Sequence, residues 1–447
     1  MSRRLLIVAP TFPPHPSPAT HRARFLTRYA AENRWEVEVL SVDPRFYEET
    51  LDDELLRLVP AGTRITHTPA FSPRWTRRLG VGDIGMRAYF PMRRILRDRC
   101  RAWRPDALFI PGGPFYTFGL GADMCEELRI PYMLDYTDPW VCPLRPDDDH
   151  VWRKAYWARR LALRFEPRAV RHASHILAVS DKTHDGLRER YPDLSSEQLS
   201  AMPFGFEAAD FEALRAHPRV NPYWNPQDGK LHLVYVGAVP PDFREVLRGF
   251  FNALLRIREV YPALFNRIET HFFGTCYDPA ATRGLVEPMA TEMGLNGKVH
   301  ERAQRIPYVD ALNVLVSADV VLALGSTAPH YMASKIFPCI LARRPLLGVF
   351  HESSTVCGIM QQAGVGELVT FSDARPAATR WPAIENALHR LTRPGYKRTR
   401  PRMEAMERYS ARAMSKAIFD LLKRFPRAPG NVSAAAGAES RLDATYA

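Results

Sequence analysis

Short apolar runs alternate along this chain with longer stretches in which apolar residues recur every three or four positions. In the first half the runs are RLLIVAP (4–10), WEVEVLSV (35–42), PDALFIPGG (105–113), IPYMLDYTDPW (130–140) and ASHILAVSD (173–181). In the second they are LHLVYVGAV (231–239), RIETHFFGT (267–275), KVHERAQRI (298–306), ADVVLALGS (318–326), RPLLGVF (344–350) and GELVTF (366–371). Runs of this length and composition, bounded by Gly, Pro or Asp, predict strands. Helical patterns lie between most of them, the rhythm of a parallel sheet covered on both faces. The first helix has a start signal. In SPATHRARF, Ser17 can cap and Pro18 can take the first helical position, and Phe25, Leu26, Tyr29 and Ala30 form an apolar stripe.

Both halves open with a strand, a proline-containing loop and a helix. The chain has 447 residues, too many for one ordinary core. The pattern predicts an α/β protein of two Rossmann-like, doubly wound domains facing across a cleft, with ligands outside the carboxyl ends of the strands. The expected boundaries are 1–205 for the first domain, 206–229 for a polar, proline-containing connection and 230–401 for the second domain. A helix near 402–425 follows, then an Ala-, Gly- and Ser-rich tail from 426 to 447 that is expected to be disordered.

The loops after the strands carry the candidate chemistry. Thr20, His21 and Arg22 stand at a helix start, where free N–H groups and the helix dipole favour an anion; Arg22 can grip a phosphate with two parallel bonds. Asp135 and Asp138 follow an apolar strand, and Pro139 holds Asp138 extended. Two acids at a strand end can orient sugar hydroxyls or share a proton. Gly237 ends the strand 231–236 and lets a ligand approach the backbone; Arg244 falls in the next helix turn. Ser334 and Lys335 stand where a loop turns into a helix, a phosphate site on physical grounds. Pro338 follows. If Ser334 caps, the proline lies one turn in; if the helix starts at Pro338, it costs little. A delayed or distorted first turn is the preferred expectation.

The net charge of +12 is unevenly placed. Residues 74–104 hold ten Arg and two Asp, and residues 151–172 hold seven Lys or Arg and one Glu. Wet helix faces explain such runs, and so does an anionic membrane surface or an acidic substrate. No nucleic-acid-binding motif occurs. The helix 91–103 places Met92, Ile95, Leu96, Cys100 and Trp103 on one face, which fits a bilayer interface and fits a core-facing helix better. The six cysteines form no C-x-x-C pair, so free thiols in a reducing cytosol are expected, with no metal site. The run LLIVA is too short for a signal peptide, and no run approaches the roughly 18 apolar residues of a membrane span.

Several of these stretches together resemble the family-4-like, nucleotide-sugar-dependent, retaining glycosyltransferases of GT-B architecture, over roughly residues 4–425. PGGPFYTFGLGADMCEELRIPYMLDYTDPW is similar to that family's "PPF … GIPWVADFRDPW" segment, MPFGFEAADF to "IPNGFDPEDF", and SKIFPCILARRPLL to "SKLFEYLAAGKPVL". The opening RLLIVAPTFPPHPSPATHRARFL, ASHILAVSDKTHDGLRERYP and LHLVYVGAVPPDFREVL add to the likeness. The resemblance implies a nucleotide-diphospho-sugar donor on the second domain, with Gly237, Arg244, Ser334 and Lys335 at its diphosphate. It implies a glycan, lipid-linked or small-molecule acceptor on the first domain, Asp135 and Asp138 at the reacting sugar or acceptor, no metal, no cofactor beyond the donor, and a last helix that returns to the first domain. A cytoplasmic protein, peripheral to a membrane, is the expected setting. The chain departs from the pattern at Pro338, where the family usually keeps a ribose-binding glutamate, at His330, where a variant of the pattern has an acid, at Phe204 for Asn and at Thr137 for Arg. These departures leave open a non-catalytic partner of an active glycosyltransferase.

Overall fold

The computed structural model describes residues 2–142, 150–276, 281–327 and 335–426. The chain divides into two compact units, Met1–Phe204 with Ala411–Ala447, and Gly205–Ser410.

The first unit is built on a seven-stranded parallel sheet. Its strands are β1 (Arg3–Val8), β2 (Trp35–Val42), β3 (Arg64–Thr68), β4 (Ala107–Pro111), β5 (Tyr132–Tyr136), β6 (His175–Ala178) and β7 (Leu199–Ala201). They lie in the order 3-2-1-4-5-6-7, so the winding reverses between β1 and β4. The side-chain period of two feeds two cores. Leu6 and Val8 enter one, under the helices Ile84–Trp103, Phe118–Leu128 and Lys154–Arg171; Leu5 and Ile7 enter the other, under Pro18–Tyr29 and Ala411–Lys423.

The helix Pro18–Tyr29 starts where the sequence reading puts it, although the Ser17 hydroxyl bonds Thr20 Oγ1 at 2.9 Å instead of capping the backbone. In Ile84–Trp103, Met92, Leu96, Cys100 and Trp103 are buried in the core. The apolar face of 91–103 is therefore core-facing, not free for a bilayer. Pro91 inside this helix cannot donate to the Arg87 carbonyl four residues back. The Phe71 N–H takes that carbonyl at 3.0 Å, and the Arg87 guanidinium returns a bond to the Phe71 carbonyl at 3.0 Å.

The second unit repeats the plan with β8 (Leu231–Val236), β9 (Ile268–Phe273), β10 (Val299–Arg302), β11 (Val320–Leu324), β12 (Leu346–His351) and β13 (Glu367–Phe371). The order is 10-9-8-11-12-13, all parallel, with the reversal between β8 and β11. Residues 206–229 are more ordered than a polar connection implies. They contain the helix Ala208–Ala216, which buries Phe211 and Leu214, and Trp224 stacks on His271 at 4.8 Å and His232 at 5.1 Å.

The closing helix is also broken. It comprises Met403–Met406 and Ala411–Lys423, with Ser410 extended between them. Ser410 forms a parallel bridge with Phe206, whose N–H bonds the Tyr409 carbonyl at 3.0 Å. Among the described residues no helix is long and apolar enough to cross a membrane.

Candidate functional site

The second unit gathers its candidate residues at the winding reversal, outside β8 and β11. The chain leaves β8 through Gly237, whose φ of +135° favours glycine and whose N–H bonds the Phe273 carbonyl at 2.8 Å. Lys335 enters from the segment after β11. Its ammonium donates to the Tyr235 hydroxyl and lies 4.2 Å from the Tyr235 ring centre and 5.5 Å from that of Phe243. A Cβ on residue 237 would stand 2.7 Å from Lys335 Nζ. Gly237 and Lys335, 98 positions apart in sequence, thus touch. Among the described residues no carboxylate pairs with Lys335. Desolvation lowers its pKa to about 7, and the charge of Arg305 acts in the same direction.

Arg244 is exposed at the first position of the helix Arg244–Val260. It makes no ion pair among the described residues. The loops after β8 and β11 are tied together, because the Thr327 N–H bonds the Asp242 carbonyl at 3.2 Å. Ser334 lies outside the described residues.

Pro338 has a simple local account. The helix is Ile336–Leu341, with Lys335 at its cap, and the first turn closes through Cys339 N–H to the Lys335 carbonyl at 3.1 Å. Pro338 occupies the third helical position, where an N–H has no intrahelical partner, so its missing donor costs nothing. The helix start is delayed past Ser334 and the turn is regular.

In the first unit Arg22 and Asp135 come together. Arg22 Nη1 donates to Asp135 Oδ1 at 2.8 Å, and both side chains are essentially inaccessible. Arg22 Nη2 donates to the Met202 carbonyl at 2.7 Å, and the guanidinium lies 5.3 Å from the Phe204 ring centre. Burial raises the pKa of Asp135 and the Arg22 charge opposes the rise. This corrects the picture of Arg22 as an open phosphate grip and Asp135 as an exposed acid. Within β5, Met133 and Asp135 point to one face and Leu134 and Tyr136 to the other. The face of Asp135 is the one covered by Pro18–Tyr29, which carries Arg22.

Asp138 is in the turn beyond β5 and keeps an open side to solvent, while desolvation by the surrounding chain raises its pKa to about 6. It is separate from the Arg22–Asp135 pair. His21 is half-buried, its ring 6.2 Å from that of Phe25.

Sequence reasoning missed Tyr235 and Phe243, the rings that hold the lysine. Tyr235 has the parity of Leu233 in β8, which marks it as buried and gives no hint of a polar partner. The Met202 carbonyl carries no side-chain signal at all.

The arrangement of two reversed-order parallel sheets has counterparts among solved structures. HepE from Anabaena, in complex with UDP and glucose, matches with a TM-score of 0.62 at 15% identity, over 94% of this chain and 99% of that one. The trehalose-6-phosphate synthase OtsA matches with a TM-score of 0.64 at 12% identity, over 95% and 100%. Sucrose-phosphate synthase from Thermosynechococcus elongatus matches with a TM-score of 0.61 at 13% identity, over 94% and 98%. No curated protein matches by sequence. The family model of the glycosyl transferase 4-like domain matches residues 19–205. The chain as a whole has the GT-B fold, shared with the structures named above. Within the matched residues lie the Arg22–Asp135 pair and Asp138; Gly237, Arg244 and Lys335 lie beyond them, in the second unit.

Proposed function

We propose that this protein transfers a glycosyl group from a nucleotide-diphospho-sugar to an acceptor hydroxyl. One observation carries the reading: the Lys335 ammonium, set against Tyr235 and Phe243 beside Gly237, has no carboxylate partner among the described residues. A desolvated cation is costly without a counter-charge, and a diphosphate oxygen approaching Gly237 offsets that cost. Arg244 adds a second cation at the amino end of a seventeen-residue helix, whose N–H groups also favour an anion. As the bond from sugar to diphosphate breaks, negative charge grows on the leaving group, and these groups stabilise it where it forms. The UDP bound in HepE supports a nucleotide-sugar as donor.

We assign the acceptor to the first unit, following the resemblance of its sequence motifs. It is a polysaccharide, a glycolipid or a small molecule with a free hydroxyl. Asp138, open to solvent with a pKa near 6, is the carboxylate placed to accept a hydrogen bond from a hydroxyl of the sugar or acceptor.

The test is binding and turnover across a panel of UDP-, GDP- and dTDP-sugars. At least one donor binds, and Lys335→Met and Arg244→Ala each weaken it about tenfold or more, the loss of a bond to a charged group. Failure of the whole panel to bind overturns the reading. A second reading, a non-catalytic partner of an active glycosyltransferase, draws on Pro338 standing in the place of an acid. Release of free nucleotide from any donor, or transfer of its sugar, excludes it.

A further inference from the structure

We propose that the first unit docks on the surface of an anionic lipid bilayer through an outward-facing aromatic and basic patch. On the helix Lys154–Arg171, Trp157, Leu161 and Phe165 recur every four residues and are 55%, 37% and 47% exposed. That spacing forms one stripe, of the kind a globular helix turns inward. Here the inward face is instead Ala162, Glu166, Ala169 and Val170. Trp152, just ahead of the helix, is 83% exposed. A second exposed group consists of Trp75 and Leu79 in the segment 73–79 and Phe90 on Ile84–Trp103, exposed by 69%, 83% and 71%.

The two groups belong to one surface. The Phe71–Arg87 bonds fasten the segment before Pro73 to the helix of Phe90. Tyr89, beside Phe90, donates to Asp123 at 2.9 Å, and Arg168 of the helix Lys154–Arg171 reaches the same carboxylate at 2.8 Å. The Tyr116 ring lies 5.9 Å from Phe165. All three helices cover the same sheet face and run antiparallel to its strands. Phe90 and Trp157 lie in the amino-terminal parts of Ile84–Trp103 and Lys154–Arg171, at the end of the face where the strands finish, and Leu161 and Phe165 continue the stripe along the second of these helices. Farther along, the same helices are laced by ion pairs, Arg97–Glu127 and Arg168–Glu126 among them.

Charge selects the occupant. Residues 69–82 contain three arginines, of which Arg77 pairs with Glu48 at 2.9 Å, and residues 150–165 contain five Arg or Lys; neither stretch contains Asp or Glu, although Asp147, Asp148 and Asp149 precede the second, and the balance over both remains positive. Two copies of this surface repel each other, whereas anionic headgroups attract it at about 1 kcal/mol per basic side chain. Tryptophan prefers the headgroup level, and exposed Phe and Leu gain by entering the acyl boundary. The inference is independent of the glycosyltransferase reading and of the core-facing residues in 91–103.

The experiment is flotation of the full chain with vesicles of phosphatidylglycerol and, separately, of phosphatidylcholine. The expected result is co-flotation with phosphatidylglycerol at low salt, little with phosphatidylcholine, and release by added salt. The triple variant W152S/W157S/F165S weakens binding about tenfold or more, and brominated lipid quenches tryptophan emission of the unaltered protein. Absence of flotation at low salt overturns the proposal. So does unchanged binding of the triple variant, or a self-association in solution that the same variant abolishes.

Discussion

The Lys335 ammonium meets two rings and the hydroxyl of one of them, and the sign of its pH response follows from that setting. Its pKa falls from 10.5 to about 7 by desolvation. Between those values the unfolded chain holds a proton that the folded chain has lost, so this group makes stability rise with pH across the window. An anion prefers the protonated form. Calorimetric titration is therefore expected to show affinity for UDP falling as pH rises above about 7, with the dependence flattened by Lys335→Met; a flat profile in the unaltered protein removes Lys335 from the diphosphate site. The Arg22–Asp135 pair is the opposite case, a buried charge already compensated. Asp135→Asn leaves Arg22 charged and short of its anion, which costs about 3–5 kcal/mol in urea unfolding. A loss well below 1 kcal/mol contradicts a pair as buried as its geometry indicates.

Element by element, the long apolar runs were readable and the marginal elements were not. Eleven of the thirteen strands have runs of apolar residues that announce them. β3 is RITHT, with one strongly apolar residue at a sheet edge, and β7 is three residues long, so neither has a pattern to detect. The stripe over 402–424 reads as one helix because periodicity is local; the break at Ser410 comes from its pairing with Phe206, far away in sequence. The same limit hid the Arg22–Asp135 bond, although the parity of Asp135 with Met133 was visible. Gly237 was legible because it lies where an apolar run ends and Lys335 because it stands where a loop turns into a helix, and the topology of a wound sheet collects such places. The last helix tests whether packing, not propensity, holds an element. Phe419 is buried and stacks on Trp35 at 5.6 Å. Phe419→Ala is expected to destabilise the first unit by about 3–5 kcal/mol, read as an earlier urea transition; an unmoved transition means the helix is dispensable.

For the molecule as a whole, the informative fact is how the chain is divided. The second unit is continuous, Gly205–Ser410, and the first is assembled from both ends of the chain. A fragment 205–410 keeps its sheet and core and is expected to unfold cooperatively. A fragment 1–204 lacks the helix whose Phe419 stacks on Trp35 and which shares a core with Leu26 and Val39, and it is expected to expose apolar surface and bind ANS. Equal cooperativity in the two fragments contradicts this division. The division also imposes a timetable on synthesis. The ribosome delivers residues 1–204 first, then 206 residues of the other unit, and only then Ala411–Lys423. At about 5–20 residues per second that interval is roughly 10–40 s. Throughout it the older half of the nascent chain has one sheet face covered by Pro18–Tyr29 alone, while the younger half can finish. The part made first is the part completed last, and its unfinished face is where a holding chaperone has both a target and time to act.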